Sequence, residues 1–600
     1  MENQHLVVHF YHQSPRIEVY DRRIDFHWLQ SDNCDLRVND YLAHENHVSA
    51  RLRTGTGLEM IATWELAEDS PELAVQLNPE QETSFEQFLF PAPFLAASGF
   101  LVIPHSQGVL YDVDDVPLQQ FLDGQTLDAY TSDLSMPWFG VVSMPSGHGC
   151  MTILDTPDDA GIHFSRIETD ELSILAAQPC WRASKGRMGY PRRYLYWFHI
   201  EGGYVSQAKC YMAYVRERGR IPTLAEKEEQ RPDSSILRGA CHINIHIGDL
   251  TFSDTESICR LLKSESVENA VVHIRNWQEN PYSSPRHWPP SEIAGGEAGL
   301  SGLFEALREI DYVPSLVTGF RDTYSGFEGY AQDDLALDQS GNPQYSGYWG
   351  ISKIPSQRIC GNRQPHWAEA HLEPLTGAAD CLLLEHSCLD ARECFDTRHP
   401  ATRGEDIAGR QEIFQSVLNS GRILGVEGAM DFAAPHADFI AGQMSLARFY
   451  FIEQAPAPNR FNLSAALRVP LFNLVYHECV HVTWHHQDTY ISAEDNGTRA
   501  LFDLLYGNPP AVTFTHPGTV ELMGSRLGQL CETVSSVHSK VAGEELLLHG
   551  WLTEDRLVQI SRFASGLQIV ANFSREPYAL PNNDEQVAAG SCRAIMPQEE

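Results

Sequence analysis

The feature that most constrains the fold is an alternation of short apolar runs with helix-like stretches between residues 239 and 516. Amphipathic patterns such as TESICRLLKS, LSGLFEALREI and DIAGRQEIFQSVLNSG separate several of the runs. Strands that alternate with helices form parallel sheets, and eight such strands close a (β/α)8 barrel. The sequence therefore predicts a TIM barrel over residues 236–545. Its predicted strands are GACHINIHIG (239–248), AVVHIRNW (270–277), VPSLVTGF (313–320), CLLLEHS (381–387), RILGVEG (422–428), ADFIAG (437–442), LFNLVYHECV (471–480) and AVTFTH (511–516).

The regions on either side of this predicted barrel have a different pattern of apolar residues. Residues 1–235 contain short alternating runs such as HLVVHFYH and FLVIPHSQGVLYDV, with turn residues between them. This pattern predicts an antiparallel β-sandwich. A helix-prone connector, MAYVRERGRIPTLAEKEEQRPDSS, closes that region. The stretch DRLVQISRFASGLQIVANFS predicts a small C-terminal β-domain over residues 546–600, so the fold class is multidomain.

Charge and cysteine usage restrict the partners and the compartment. Lys and Arg number 43 against 80 Asp and Glu, a formal net charge of −37. Such a surface repels phosphate backbones, so no nucleic acid is expected as a partner. No run of about 18 apolar residues and no secretory leader is visible, so we expect no membrane contact. The 13 cysteines lack any C-x-x-C pair, which favours reduced thiols in a cytoplasm, or a periplasmic location if a leader has been removed.

Two acids stand at the ends of neighbouring predicted strands. Glu385 closes CLLLEHS and Glu427 closes RILGVEG. Barrel enzymes place catalytic groups at the C-terminal ends of strands, and glycoside hydrolysis needs a pair of carboxyl groups. The alternative is that each acid caps a loop or pairs with a nearby arginine. From the pattern alone both interpretations stay open.

A second polar group follows the third predicted strand. The run FRDTYSGF holds Arg321, Asp322 and Tyr324, which could bind sugar hydroxyls and a sugar ring. A capping Asp beside a surface Arg is the simpler interpretation. Trp277 and Trp367 are candidates for a wall on which a pyranose stacks, although Trp more often fills a core.

The string HECVH (477–481) matches the H-E-x-x-H pattern of zinc peptidases. The longer metzincin pattern fails, because Trp484 and Gln487 occupy its later positions. If LFNLVYHECV is a strand, His477 and His481 lie about 13 Å apart, too far to bind one ion. Glu494 and Glu521 stay open as third ligands of such a zinc site.

Three longer stretches resemble glycoside hydrolase family 129, which is distantly similar to family 101. The stretches are GYPRRYLYWFHIEGGYVSQAKCYMAYVRERGRIPTLAEKEEQRP, the block from ECFDTRHPATRGEDIAGRQ to ADFIAG, and PLFNLVYHE. The first stretch is similar to the segment that leads into the family's barrel. The second is similar to the family's E-C-Y-D-P-x-H-P-x-T-R run and the G-S-E-G strand end that follows it. The third is similar to the family's P-L-F-x-L-V-Y-H-D run. The resemblance covers most of the chain.

This resemblance implies a role for each candidate residue. Glu427 falls on the family's general acid/base and Glu385 on its nucleophile, which is an Asp in the family. Asp322 falls on an Asp that holds sugar hydroxyls, with Arg321 where the family has His. Asp390 is a second candidate nucleophile if the strand end is misplaced.

His477 and Glu478 fall on the family's His-Asp pair and are expected to contact sugar, with Glu in place of Asp at 478. The extra methylene of Glu385 moves the carboxylate by about 1.5 Å. The departures at 321, 385 and 478 therefore favour a terminal sugar different from the family's best-known one.

The resemblance implies a retaining, exo-acting α-glycosidase with an oligosaccharide substrate. Known activities of the family include release of α-linked N-acetylgalactosamine and of 3,6-anhydro-D-galactose from carrageenan oligosaccharides, and the departures favour the anhydro sugar. No cofactor is required, a calcium ion without assignable ligands is implied, and a homo-oligomer stays open. The alternatives from other classes are a non-catalytic sugar-binding barrel and the zinc peptidase.

Overall fold

The computed structural model describes residues 1–596 except 12, 33, 35, 81–83, 131–133, 169–171, 220, 350–353, 429, 446–465, 491–496, 517 and 582–584. The chain forms two compact units. The first comprises Met1–Glu217 and Leu446–Val475, and the second comprises Arg218–Ser445 and Tyr476–Glu600. The predicted division at residues 235 and 545 stays a prediction. Among the described residues, no helix is long and apolar enough to cross a membrane.

The first unit is built from three antiparallel sheets. One hydrophobic core takes residues from all of them, including Val8, Trp64 and Ile162. The predicted antiparallel β-structure is confirmed, whereas its arrangement as a sandwich stays a prediction. In spatial order, the strands of the first sheet are Leu6–Tyr11, Arg16–Asp21 and Phe26–Leu29. Those of the second sheet are Ala466–Arg468, Val109–Asp112, Gly99–Ile103, Trp138–Ser143, Gly149–Leu154, Arg192–His199, Glu72–Pro79, Glu59–Leu66, His47–Arg53 and Arg37–Ala43. Those of the third sheet are Thr126–Asp128, Ala160–Glu168, Ser173–Arg182 and Gln87–Leu89.

The second unit contains an eight-stranded parallel sheet of the TIM type. From β1 to β7 each strand pairs with its neighbour in the chain, and β8 pairs with β1. The segment after β7 reaches β8, where Thr513 Oγ1 donates to the His486 carbonyl over 2.6 Å. The predicted parallel eight-stranded sheet is confirmed. Its strands are β1 (Cys241–His246), β2 (Ala270–Arg275), β3 (Tyr312–Thr318), β4 (Cys381–Leu384), β5 (Ile423–Glu427), β6 (Phe439–Ala441), β7 (His481–Val482) and β8 (Ala511–Phe514).

Helices follow most of these strands. After β3 the chain first makes a small antiparallel sheet, of Asp322–Tyr324, Tyr345–Trp349 and Ile354–Arg358, which we call the β3 excursion. Between β5 and β6 the described residues contain only the 3-10 turn Asp431–Ala433. The α-helices of the chain are Val116–Leu122, Gly203–Arg218, Leu224–Gln230, Phe252–Ser264, Gly296–Glu309, Gln364–Ala378, Arg403–Asn419, Leu471–Tyr476, Thr498–Tyr506 and Gly518–Val541.

The predicted seventh strand, 471–480, is wrong. Leu471–Tyr476 is a helix, residues 477–479 form a turn, and the strand β7 begins only at His481. Every residue of the helix is buried, so the run has no apolar face that could reveal a helical period. Pro470 directly precedes the helix, a place where proline is compatible with helix initiation.

The C-terminal residues form the predicted β-structure. Strands Leu546–Trp551, Val558–Phe563, Gln568–Asn572 and Ser591–Ile595 make one antiparallel sheet. Tyr578–Ala579 and Gln586–Val587 pair beside it. All 13 cysteines are free, and ten of them are buried.

The interior of the barrel is filled by side chains from several strands, including Val271, Leu383 and Phe439. The Phe439 ring packs against two buried histidines, His242 and His273, with centroid distances of 4.8 and 5.2 Å. It also occupies the space in front of Gly425, where an added Cβ would lie 2.0 Å from the ring. A side chain at 425 would therefore displace the ring that fills the barrel beneath Glu427.

We expect Gly425→Ala to destabilise the barrel, because overpacking of a closed core costs about 1–3 kcal/mol. For a chain of this size, each kcal/mol lowers the melting temperature by about 2–4 °C. Gly302→Ala is the matched control, since Gly302 lies on an exposed helix face with nothing within 4 Å of the added Cβ. Thermal unfolding followed by circular dichroism measures both. Equal melting temperatures would contradict the packing argument.

Candidate active site

Four strand ends of the barrel converge on one buried arginine. Arg275, the last residue of β2, donates through Nη2 to Glu427 Oε1 at 3.0 Å and through Nε to Asn244 Oδ1 at 3.2 Å. Its Nη1 lies 3.8 Å from Glu385 Oε2. Carboxyl ends of parallel strands meet at one face of a barrel, which explains why residues far apart in sequence come together. The structure thus brings the two predicted acids, Glu385 and Glu427, to one cation.

The separation of the two acids is short. Carboxylate oxygens of Glu385 and Glu427 lie within 4.8 Å of each other. Retaining glycosidases hold their carboxyl groups about 5–5.5 Å apart, whereas inverting enzymes need about 6.5–9.5 Å to admit a water. The spacing matches the retaining arrangement. Asp390 lies outside this pair, since its carboxylate bonds to Arg392 at 2.8 Å.

Glu427 is an ionised carboxylate in the ligand-free site. Burial raises its pKa, but the positive charge of Arg275 outweighs burial, and the pKa lies well below the usual range. His386 Nδ1 and His485 Nε2 lie 3.5 and 3.6 Å from its oxygens. Burial lowers the pKa of His485 and of its neighbour His486. Both rings are therefore neutral near pH 7, and Arg275 is the charge that holds Glu427 ionised.

The residue after Glu385 has an unusual backbone. His386 has φ of 56° and directs its N–H at Glu427 Oε2 over 3.4 Å. A left-handed conformation costs a non-glycine residue on the order of 1–3 kcal/mol. The bend turns the chain sharply after β4, so that Glu385 and His386 both line the cavity described next.

A cavity of about 630 Å³ lies over the strand ends, a size suited to a small sugar. It is lined by residues that include Arg321, Asp322, Tyr324, Glu385 and His386. The cavity thus brings the candidate acid Glu385 together with the candidate sugar-binding residues Arg321, Asp322 and Tyr324. Tyr324 is held there by the ring of Tyr282, at a centroid distance of 5.3 Å.

Arg321 and Asp322 form a buried ion pair on the cavity wall. Arg321 Nη2 donates to Asp322 Oδ2 at 2.8 Å, and Ser346 Oγ donates to Oδ1 at 2.6 Å. Burial raises the pKa of Asp322, but the charge of Arg321 outweighs it and the pKa is lowered. Arg321 Nε and Nη1 are buried without a hydrogen-bond partner among the described residues. These two nitrogens have no exposed surface, so the guanidinium is enclosed in the wall, and each oxygen of Asp322 already accepts a hydrogen bond.

The two candidate stacking residues lie elsewhere. Trp277 is fully buried and donates to the Val317 carbonyl at 2.9 Å. Trp367 lies on the helix Gln364–Ala378, where it donates to Asp334 and stacks on His371. Neither ring lines the cavity, so their prediction as a sugar wall is wrong: both indoles are used in packing and in hydrogen bonds.

His477 and Glu478 also lie away from the cavity. They precede β7, and the chain before a strand lies at the opposite end of the barrel from the catalytic face. His477 bonds to the carbonyls of Glu544 and Gly507 at 2.7 and 3.2 Å. Their prediction as sugar contacts depended on the misplaced seventh strand and is wrong for that reason.

The HECVH string does not form a metal site in the described part of the chain. His481 Nδ1 lies 3.0 Å from His538 Nε2, whereas His477 is held by backbone carbonyls. Neither belongs to any group of three closely spaced metal-ligating side chains. Glu494 and the side chain of Glu521 lie outside the described residues.

Sequence reasoning missed Arg275, His246, His485 and His486. His246 Nε2 lies 3.0 Å from His486 Nδ1, and burial lowers the pKa of His246 to about 4. Each follows or ends a strand, so strand ends were the available signal. The two histidines of VTWHHQD follow the true β7, which a correct strand boundary would have revealed.

Three groups of closely spaced ligand atoms occur among the described residues. They are Cys360, Cys394 and His399; Glu427, His485 and His486; and Glu385, His386 and Glu427. Each contains histidine or cysteine, whereas Ca²⁺ takes oxygen ligands. None of the three fits the calcium ion that the resemblance implies, and calcium stays a prediction.

A family model described as "Glycosyl hydrolases related to GH101 family, GH129" matches residues 446–562. No curated protein matches the chain. The structure resembles the α-N-acetylgalactosaminidase NagBb from Bifidobacterium bifidum, solved ligand-free and as a Gal-NHAc-DNJ complex. Identity is 21%, the TM-scores are 0.81 and 0.82, and the matches cover 96% and 98% of this chain and 98% and 99% of that one.

A weaker likeness extends to the GH36 α-galactosidase AgaA from Geobacillus stearothermophilus. The TM-score is 0.52 at 10% identity, over 92% of this chain and 80% of that one. At these identities the likeness concerns the fold. An α-N-acetylgalactosaminidase and, less closely, an α-galactosidase thus share the fold of this chain.

We expect Arg275→Gln to destabilise the chain by about 3–5 kcal/mol at pH 7, because it leaves the buried Glu427 carboxylate uncompensated. In the wild type the lowered pKa of Glu427 contributes stability above the ordinary value near 4.5, and this is lost as pH falls through the lowered pKa. In the variant, burial raises the pKa, so acid relieves the strain. The deficit should shrink from pH 7 to pH 5.

Urea unfolding at the two pH values measures this difference. Adding Glu427→Gln to the variant should restore much of the lost stability, since the orphaned charge is removed. A deficit that is independent of pH and unchanged in the double variant would contradict the ion-pair account.

Proposed function

We propose that this chain is an exo-acting, retaining α-glycosidase of glycoside hydrolase family 129, whose model matches residues 446–562. The observation that carries the proposal is the pair of carboxylates, Glu385 and Glu427, within 4.8 Å of each other, with Glu385 lining a sugar-sized cavity. We further propose that it releases a terminal α-linked galactose-type sugar from an oligosaccharide.

The chemistry needs two displacements at the anomeric carbon. Glu427 protonates the glycosidic oxygen while Glu385 attacks C1, so the C1–O bond breaks and a glycosyl ester forms. Glu427, now a carboxylate, then takes a proton from water as the water oxygen attacks C1 and frees Glu385. The sugar leaves with its α configuration. Glu385 is partly exposed, at 36% of its side chain, and so is open to the sugar.

This assignment requires the Glu427–Arg275 ion pair to loosen when sugar binds. In the free site Arg275 stabilises the carboxylate, whereas a proton donor must be neutral at the start of the reaction. A sugar that displaces water from the cavity strengthens the burial that raises the pKa of Glu427. Arg275 can then turn toward Glu385, whose Oε2 lies 3.8 Å from Nη1, and support the nucleophile.

For the terminal sugar we propose 3,6-anhydro-D-galactose, as found in carrageenan oligosaccharides. C3 and C6 of this sugar are bridged by one ether oxygen, which accepts hydrogen bonds and donates none. Both oxygens of Asp322 already accept a hydrogen bond, so Asp322 has less capacity for extra hydroxyl donors, which suits a sugar with fewer hydroxyl groups. Cytoplasmic hydrolysis of imported oligosaccharides would fit the acidic composition and free thiols.

N-acetylgalactosamine is the second candidate sugar. The resemblance to family 129 supports it. Hydrolysis of aryl α-N-acetylgalactosaminide, aryl α-galactoside and neocarrabiose-type oligosaccharides separates the candidates. We expect release of anhydrogalactose first as the α-anomer. A β-anomer would keep the glycosidase but make Glu385 a base for water.

Asp322→Asn tests the sugar-binding wall. The change keeps the shape but removes the charge that holds Arg321, so we expect kcat/KM to fall by about 10²–10⁴-fold. Glu412→Gln, on the exposed face of the helix Arg403–Asn419, is the control and should leave kcat/KM unchanged. Steady-state kinetics on the best substrate of the panel measures both. Equal values for the two variants would remove Asp322 from the site.

Azide rescue assigns the two carboxylates. Glu385→Ala should lose at least about 10³-fold in activity and, with azide, yield the β-glycosyl azide, because azide enters the space of the missing nucleophile. Glu427→Ala should keep turnover of aryl glycosides with good leaving groups and yield the α-azide. The reverse pattern would exchange the two roles. Unchanged sugar binding with no turnover of any substrate by the wild type would favour a binding-only barrel.

The pH profile tests the loosening of the ion pair. The pKa of Glu427 is lowered in the free chain, so kcat/KM should fall as pH rises from a low value. In the complex the pKa is raised, so kcat should stay high to a higher pH. A kcat/KM with no descending limb would remove Glu427 as the protonated acid, whereas a rise alone would not, since ionisation of any nucleophile also produces a rise.

A further inference from the structure

A second cluster of reactive side chains lies outside the proposed catalytic pair. Cys360, which follows the last strand of the β3 excursion, and Cys394, in the segment after β4, are both buried. Together with His399 they present two sulfurs and an imidazole nitrogen within 4.8 Å of one another. Nothing in the proposed hydrolysis uses these three side chains.

The histidine of this cluster is prepared as a ligand. His399 Nε2 lies 3.0 Å from the Asp333 carbonyl, an acceptor that requires the proton to be on Nε2. Nδ1 then carries a lone pair, and it lies 3.7 Å from Cys394 Sγ. Metal-binding histidines are commonly fixed in this way by a backbone carbonyl on the other nitrogen.

The distances suit a tetrahedral ion. Zn–S and Zn–N bonds of about 2.3 and 2.0 Å place neighbouring sulfur and nitrogen ligands about 3.6 Å apart. The Cys394–His399 distance of 3.7 Å matches that edge. The backbone also closes a tight turn around the ligands, with Cys394 N donating to the Ala401 carbonyl at 2.8 Å and Ala401 N donating back at 3.1 Å.

We propose that Cys360, Cys394 and His399 form a structural zinc site, with a water or a nearby oxygen as the fourth ligand. Two thiolates and an imidazole are soft ligands that select Zn²⁺ over Ca²⁺ and Mg²⁺. On binding, each thiol that is protonated releases its proton to solvent.

The site would tie together two segments that build the sugar cavity. The β3 excursion carries Asp322, and the residue before Cys360 donates its N–H to the Arg321 carbonyl at 2.8 Å. The segment after β4 begins with Glu385 and runs on to Cys394. An ion that cross-links the two segments would hold the sugar-binding wall at a fixed distance from the proposed nucleophile.

Metal analysis of the full-length chain tests the proposal. After equilibration with Zn²⁺ under reducing conditions and desalting, mass spectrometry of the elements should give about one zinc per chain. Cys394→Ala and His399→Gln should each lose the ion. Cys259→Ala removes an equally buried free cysteine outside the cluster and should retain it. Zinc should raise the melting temperature of the wild type and of the control variant only.

Three results would overturn the proposal. One is a wild type that holds no more zinc than Cys394→Ala. Another is zinc that persists in both ligand variants, which would place the ion elsewhere, for example at Glu427, His485 and His486. The third is a Cys360–Cys394 disulfide in peptide maps of the purified chain, which would make the pair a redox element. The wild-type measurement decides even if a variant fails to fold.

Discussion

The catalytic end of the barrel depends on one ion pair between Arg275 and Glu427. Two carboxylates held within 4.8 Å of each other cannot both ionise easily in a buried place, because like charges raise each other's pKa. Arg275, itself only 4% exposed and bonded to Asn244, supplies the compensating charge to both acids. The short distance between the acids at the ends of β4 and β5 therefore depends on Arg275 at the end of β2.

The same ion pair makes the site a compromise between folding and chemistry. A carboxylate matched to a guanidinium is stable in the ligand-free chain, yet a proton donor must become neutral when substrate binds. Two histidines near Glu427 ease that change, because His386 and His485 lie within 3.6 Å of the carboxyl group and can contact either of its forms. The left-handed backbone at His386 is the local strain that places one of these groups.

Much of this arrangement could be predicted from the sequence, and the failures have one physical origin. Runs that end in an acid, such as CLLLEHS and RILGVEG, mark their own strand ends, because a carboxyl group rarely closes a buried run without a partner. The run LFNLVYHECV is buried on all sides, so its period could not distinguish helix from strand. Placing the strand about ten residues early put His477 and Glu478 at the catalytic face and left out His485 and His486.

Arg275 escaped for a different reason. In AVVHIRNW every residue from Ala270 to Arg275 is buried, so alternation cannot tell which side chains point into the barrel. From the sequence, an arginine at the end of such a strand could equally be an ion-pair partner on the outside of the barrel. The prediction of Trp277 and Trp367 as stacking residues was wrong because both indoles hydrogen-bond to residues distant in sequence. These partners, Val317 and Asp334, cannot be identified from composition.

The walls of the candidate cavity are built largely on segments outside the barrel strands. The cavity wall that carries Arg321 and Asp322 belongs to the β3 excursion, while the carboxylates sit on strand ends that the barrel core holds. A wall built on a small, separate sheet can change its sugar without disturbing the reacting groups, but only if its distance from them is fixed. Cross-links between the excursion and the segment after β4, such as the contact of Cys360 with the turn around His399, provide that constraint.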